Sequence, residues 1–230
     1  MRGKQIEISM KKTFFLAILF VISFQNSFGK NYVLPLKFEK TFIFNDSISI
    51  DNAYFLVTKN GTNCSKSFTE NYGSRVIVAL DKVKIKSSKG TFNLKRGEIA
   101  VFLESESYES PIGSFFEVAF KKNHPELKQP EKWVEPLKNK IIYDDAEFRV
   151  FEERLNPGDI RELHSHAQRV VVRLNTVQLT DPRFHPEGKT GTGIQVENTA
   201  KFAEPMVHVT KNLSKIPLFN IVIEFKISHQ

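Results

Sequence analysis

The six histidines of this 230-residue chain are His124, His164, His166, His185, His208 and His229. Two of them stand one residue apart in the segment Gly158-Asp-Ile-Arg-Glu-Leu-His164-Ser-His166-Ala-Gln-Arg-Val-Val-Val. The turn Asn156-Pro157-Gly158 precedes them and a β-branched run follows, so the pair belongs to a strand. Side chains at i and i+2 of a strand share a face, so the two imidazoles point the same way, and Gln168, Val170 and Val172 continue that face. Two adjacent imidazoles on a concave β surface form one edge of a metal site, and a third ligand has to come from a distant strand. The alternative is a pair of satisfied polar residues at a barrel mouth.

The same alternation puts Arg169 and Arg173 on the opposite face. A solvated surface is the first reading there, ahead of a salt bridge between domains or recognition of an anion. His185 lies in the loop Pro182 to Gly193, where it is either an exposed side chain or a lid or fourth ligand. Cys64 is the one cysteine, which excludes an intrachain disulfide framework and a multi-cysteine zinc site. It reads as a buried or idle thiol, able to pair between chains in an oxidising compartment. Sequons at Asn45, Asn60, Asn63 and Asn212 matter only in a eukaryotic source. There is no phosphate-binding loop, nucleophile elbow, paired CxxC or calcium loop.

The elements that must position these residues are strands. Phe42 and Phe44 alternate with polar neighbours, Ala53 to Thr58 is a short apolar run, and Asn60-Gly61 is a hairpin-type turn. Val83 to Lys86 alternates, Ser87 to Gly90 turns, Gly97 precedes the run Ile99 to Leu103, and Ser114 to Lys121 reads as another strand. Helical periodicity is nearly absent, so the fold class is all-β. The exception is a short helix expected near Leu127 to Leu137, in a charged stretch with Pro125, Pro130 and Pro136 that connects two halves. Those halves echo each other. Arg75-Val-Ile-Val-Ala-Leu-Asp-Lys-Val-Lys-Ile85 matches Arg169-Val-Val-Val-Arg-Leu-Asn-Thr-Val-Gln-Leu179 at five of eleven positions, 94 residues on. Phe120-Lys121 with His124 recurs as Phe225-Lys226 with His229, 105 residues on, the difference falling in the loop Asp181 to Gly193. Chance likeness between valine-rich strands explains one echo more easily than two in consistent order.

The formal charge of +7 suggests an acidic partner such as nucleic acid. Its placement argues otherwise. Lys11 and Lys12, the apolar run Thr13 to Phe24, and the small Ser27 and Gly29 have the grammar of a secretory signal peptide cleaved before Lys30. Met10 is then a better start than Met1. Removing residues 1–29 takes away four of 33 basic and one of 26 acidic side chains, leaving a net of +4 over 201 residues. That remainder holds no basic run interleaved with aromatics, so no nucleic-acid groove is expected.

On the histidine motif and the duplication, the sequence resembles the cupin superfamily, and in tandem form a bicupin. The family's first motif, a glycine, five residues and His-x-His, is met by Gly158, His164 and His166; its second ends in His-x-x-x-Asn, met by His208-Val-Thr-Lys-Asn212. The resemblance implies double-sheet jelly-roll barrels and a divalent transition metal (iron, manganese, nickel or zinc) held by His164, His166 and His208. Gln168, Asn212 and His185 would be further pocket residues. The glutamate that the family places four or five residues after the second histidine is absent, since Val170 and Val171 stand there. Glu197, Ala203 and Pro205 replace the glycines and proline before the third. Some cupin oxygenases use three histidines alone. In the first half, Glu70, Tyr72 and Leu103 occupy the equivalent places, so no site is expected there. The expected organisation is a signal peptide (1–29), an N-terminal barrel (30–121), a connector (122–140) and a C-terminal barrel (141–230). The expected protein is a secreted or periplasmic bicupin, monomeric or homodimeric, binding one metal and a small molecule as an oxygenase or isomerase. The alternative is a metal-free binding or structural module.

Overall fold

A computed structural model describes residues 48–60, 71–135, 140–181 and 191–227. Phe42, Phe44, Cys64, Glu70, His185, His229 and the expected signal peptide lie outside them. The described chain is almost entirely β. In the first half, β1 (Ile48–Asp51), β2 (Phe55–Lys59), β3 (Tyr72–Ser87), β4 (Gly90–Leu94), β5 (Ile99–Phe102) and β6 (Ile112–Lys121) form one sheet, in the order β1-β2-β6-β3-β4, with β5 also on β3. In the second, β7 (Lys140–Asp144), β8 (Phe148–Leu155), β10 (Arg169–Arg173), β13 (Thr199–Ala203) and β15 (Leu218–Phe225) run in the order β13-β10-β15-β8-β7. Two ribbons complete it: β9 (Ile160–His166) with β14 (Met206–Lys211), and β11 (Val177–Asp181) with β12 (Gly191–Gln195). Among the described residues no helix is long and apolar enough to cross a membrane.

The repeat read from the sequence is a repeat of strand order. Arg75 pairs with Ala119 on β6 and Phe102 on β5, while Arg169 pairs with Glu224 on β15 and Ala203 on β13. The pairing Phe55↔Phe120 recurs as Phe148↔Phe225. The hairpin Val83↔Leu94 recurs as Val177↔Gln195. The helix expected near Leu127 does not form. Residues 123–135 have no regular structure, and the prolines that mark the connector also deny it helical hydrogen bonds.

The two sheets pack against each other through one core. Val76, Val78, Phe116, Val118 and Phe120 of the first half share it with Val150, Val170, Val172, Ile221, Ile223 and Phe225 of the second. At its centre the equivalent phenylalanines of both halves meet: Phe55 lies 4.9 Å from Phe225 and Phe120 lies 4.4 Å from Phe148, centroid to centroid. Aromatic pairs at such separations add about 0.5–1.5 kcal/mol each beyond burial. Arg96 ties the seam by donating to the carbonyls of Leu80 and Leu174, one from each half.

On its other face the first sheet is filled. Ile77, Ala79, Val83, Ile85, Phe102, Tyr108 and Phe115 form a second apolar core. Glu117 is buried beside it, and burial pushes its carboxyl up to about 7 against the pull of the Tyr108 hydroxyl and Arg75. A folded-state value above the unfolded one favours the protonated form. The native state is therefore penalised as pH rises from about 4.5 to 7, by up to roughly 3 kcal/mol for a shift of that size. Glu117→Gln is expected to melt higher than the parent at pH 8, with the gap closing towards pH 5; melting curves that stay parallel across this range contradict the assignment.

Candidate metal centre

The turn ahead of β9 supplies the geometry that the motif needs. Gly158 has φ +80°, a left-handed conformation that costs glycine little, and its amide donates to the Asn212 carbonyl. This joins the start of β9 to the end of β14, so the two strands run antiparallel in a fixed register. His208 then lies directly across from His164, with Met206 across from His166. Directly paired residues present neighbouring side chains on one face. The three ring centroids are 4.4–5.4 Å apart, and one nitrogen from each ring lies within 4.8 Å of the others. All three histidines are buried. Small side-chain rotations would let one ion gather these atoms.

Hydrogen bonds fix the ring chemistry. The Nδ1 of His164 lies 2.7 Å from the Glu162 carbonyl, which can only accept, so Nδ1 carries the proton and Nε2 a free lone pair. His166 Nδ1 lies 2.7 Å from a Glu224 carboxyl oxygen, and the ring is set the same way when that carboxyl is ionised. His208 Nδ1 is 3.1 Å from the Thr210 hydroxyl. The His164 Nε2 atom is buried with no hydrogen-bond partner, as expected of a ligand atom facing an ion. Burial holds His164 below the ordinary imidazole value, and burial together with Arg169 and the other two histidines holds His166 well below it. The rings are therefore kept neutral, the form that binds a metal. Burial also raises Glu224 to about 7, opposed by Arg169.

His166 and His208 open onto a cavity of about 340 Å³. Its floor comes from β10 and β15, whose other faces belong to the inter-sheet core. Val170 and Val172 point into that core, so Arg169, Val171 and Arg173 point into the cavity with Asn220 and Val222. This corrects the sequence reading, which put both arginines opposite the histidines. The alternation is broken at Ala167 and Gln168, where the chain leaves β9 and its partner β14 and enters the sheet of β10 and β15. Gln168 falls in this break and does not line the cavity. It is fully buried, its Oε1 accepts from the Lys128 amide at 3.0 Å, and its carbonyl accepts from Phe225.

Asn212 is likewise structural. Its side-chain amide donates to the Leu155 and Ile216 carbonyls and its oxygen accepts from Ser214, which also buries this sequon. Arg169 lines the cavity and donates through Nη1 to the carbonyls of Ala167 and Glu204, both at 3.1 Å, and burial lowers it to about 10. Its equivalent, Arg75, likewise donates to a carbonyl, that of Glu106.

Sequence reasoning missed Glu224 and the polar set beside it. Glu153 pairs with Arg161 at 3.2 Å and accepts from Asn220 at 2.8 Å, and Asn220 also exchanges hydrogen bonds with Gln195. The available signal was an acid and an amide at i and i+4 within the otherwise apolar strand Leu218–Phe225. Charged residues are seldom buried without a partner. The connector also takes part: Val134 and the Ser165 between the two ligands exchange hydrogen bonds, and Ser165 donates its amide to the Val134 carbonyl at 2.9 Å.

No protein-family model matches the chain, and no curated protein matches it. Among solved structures the chain is similar to cupins. One is a cupin domain from Bordetella pertussis Tohama I, with 25% identity and a TM-score of 0.35, covering 44% of this chain and 100% of that one. A cupin 2 conserved barrel domain protein from Leptotrichia buccalis is 11% identical, with a TM-score of 0.49 over 77% of this chain and 86% of that one. A salicylate 1,2-dioxygenase mutant from Pseudoaminobacter salicylatoxidans, in complex with gentisate, is 8% identical with a TM-score of 0.46, covering 76% and 72%.

The hydrogen bonds generate a direct spectroscopic expectation. In long-range ¹H–¹⁵N spectra of metal-free protein at pH 7.5, the rings of His164 and His166 should both show the Nδ1–H tautomer. Glu224→Ala should shift His166 towards a tautomer mixture and leave His164 unchanged. An Nε2–H signal from either ring in the parent would contradict the geometry.

Proposed function

We propose that the C-terminal half binds one divalent transition-metal ion through His164, His166 and His208 and offers it to a small molecule in the adjoining cavity. The observation that carries this reading is a cluster of three buried imidazoles, two of them with their lone pairs set by Nδ1 hydrogen bonds. Such an arrangement is costly for packing alone, since it leaves a buried nitrogen without a partner. Three nitrogen donors suit iron, manganese, nickel or zinc. When bound, the ion would supply Lewis acidity and open positions for an oxygen-donor ligand.

The chain's own residues have separable tasks. Glu162 and Glu224 orient two of the rings; the Glu153–Arg161–Asn220–Gln195 network holds the cavity wall; Val171 and Val222 give it an apolar floor. The reading extends to the whole chain as two tandem barrels of common descent, of which the second holds the site, preceded by an export signal at residues 1–29. The filled apolar interior beside β3 and the open polar one beside β10 support that division.

The test is metal analysis of protein expressed from Lys30. About one equivalent of a transition metal is expected, lost on His164→Ala or His208→Ala. Glu224→Gln should weaken it about 10–100-fold, the range for a residue that orients a metal-bound histidine. Protein that carries no metal, and whose melting temperature does not respond to added Fe, Mn, Ni, Zn or Co, would favour the metal-free binding module instead.

A further inference from the structure

The cavity holds a cation that nothing in the fold uses. Arg173 sits at the end of β10, half-buried, with its side chain on the cavity wall. Its Nε is out of contact with water and has no hydrogen-bond partner, and no ion pair reaches the side chain among the described residues. Burial alone lowers its affinity for the proton. Lys201 also lines this space, with its side chain exposed, and the remaining charged groups that face it are already engaged. Arg169 is held by two carbonyls, Glu153 by Arg161 and Asn220, and Glu224 by His166.

The duplicated half provides an internal control. Its equivalent of Arg169 is Arg75, and both arginines bond to carbonyls, so that position serves the sheet. Its equivalent of Arg173 is Ala79, fully buried in the apolar core that fills the first half. The sheet therefore has no need of an arginine there. The charge occurs in the half where this sheet face lines a cavity and is absent from the half where the same face is packed with apolar side chains.

We propose that Arg173 is the anchor for the carboxylate of a small, largely apolar ligand bound in this cavity. This rests on reading the cavity as the ligand pocket of the histidine site. A guanidinium offers a planar fork that matches a carboxylate, and one cation neutralises one negative charge. Val171, Leu179, Ile194, Met206 and Val222 supply the apolar walls for the body of the ligand. Arg169 pairs with Glu224, which holds His166, and Arg173 lies four residues further along β10, so the anchor stands apart from His166 and the ligand carries its carboxylate at the end away from it. A volume near 340 Å³ lies at the small end of ordinary ligand pockets, roughly 300–1,000 Å³.

The experiment titrates benzoate, and benzamide as its neutral counterpart, into the chain expressed from Lys30 and freed of metal by chelator, followed by NMR. Benzoate should bind at least tenfold more tightly than benzamide. Arg173→Met and Arg173→Gln should each weaken benzoate at least tenfold without changing benzamide, while Arg173→Lys should keep part of the preference. Melting temperatures near that of the parent show that the variants are folded, and Arg173→Gln, which keeps a polar side chain, stands in if Arg173→Met is not. Equal binding of the two probes, no binding of either, or benzoate binding that survives both substitutions would overturn the proposal. Metal content is measured on the same preparations before chelation and again after re-addition of Fe, Mn, Ni, Zn or Co. Arg173-dependent benzoate binding in a protein that takes up no metal would sink the metal reading and leave this one standing; the reverse result would do the opposite.

Discussion

The contact between the two sheets sets the rest of the molecule. Each half gives one face of its sheet to a shared core built around Phe55, Phe120, Phe148 and Phe225. Once Val170, Val172, Ile221 and Ile223 are committed to that core, the pleat leaves no choice for their neighbours. Arg169, Val171, Arg173, Asn220, Val222 and Glu224 must all face the other way, towards the histidine ribbon. The polar wall of the cavity is thus the far side of an apolar seam. A register slip of one residue would exchange the two, burying arginines between the sheets.

The halves show how one framework supports opposite interiors. At matched positions the first has Ala79, Phe115, Glu117 and Ala119, and the second has Arg173, Asn220, Val222 and Glu224. The first closes on itself with phenylalanine and aliphatic side chains and keeps one buried acid. The second replaces bulk with hydrogen-bonding groups, which need partners of their own. Glu153, Arg161, Asn220 and Gln195 satisfy one another, and Glu224 is satisfied by the ring it orients. Paired in this way, the polar groups avoid most of the desolvation cost that a lone buried charge incurs.

Much of this was legible from local patterns. Alternation gave the strands, the echo of Arg75–Ile85 in Arg169–Leu179 gave the repeated sheet, and the pair His164 and His166 gave the edge of the site. Reading stopped where physical proximity is not local. Alternation was extended through Ala167 and Gln168 as if β9 and β10 were one strand. The chain changes partners there, so the parity flips and both arginines change face. The helix expected from a charged stretch near Leu127 gave way to an extended path because its polar backbone bonds to Ser165 and Gln168 instead. Glu224 lies 58 residues from His166 and joins it only through the pairing of β10 with β15, which no spacing rule conveys.

The path of the connector has a wider meaning. Lys128 and Val134 bond to Gln168 and to Ser165, the residue between His164 and His166. A segment that belongs to neither repeat thus completes the edge of the strand on which the site is built. The two large sheets are similar in strand order, but the cooperative unit around the histidine strand is larger than either sheet, because a stretch outside both completes that strand's edge.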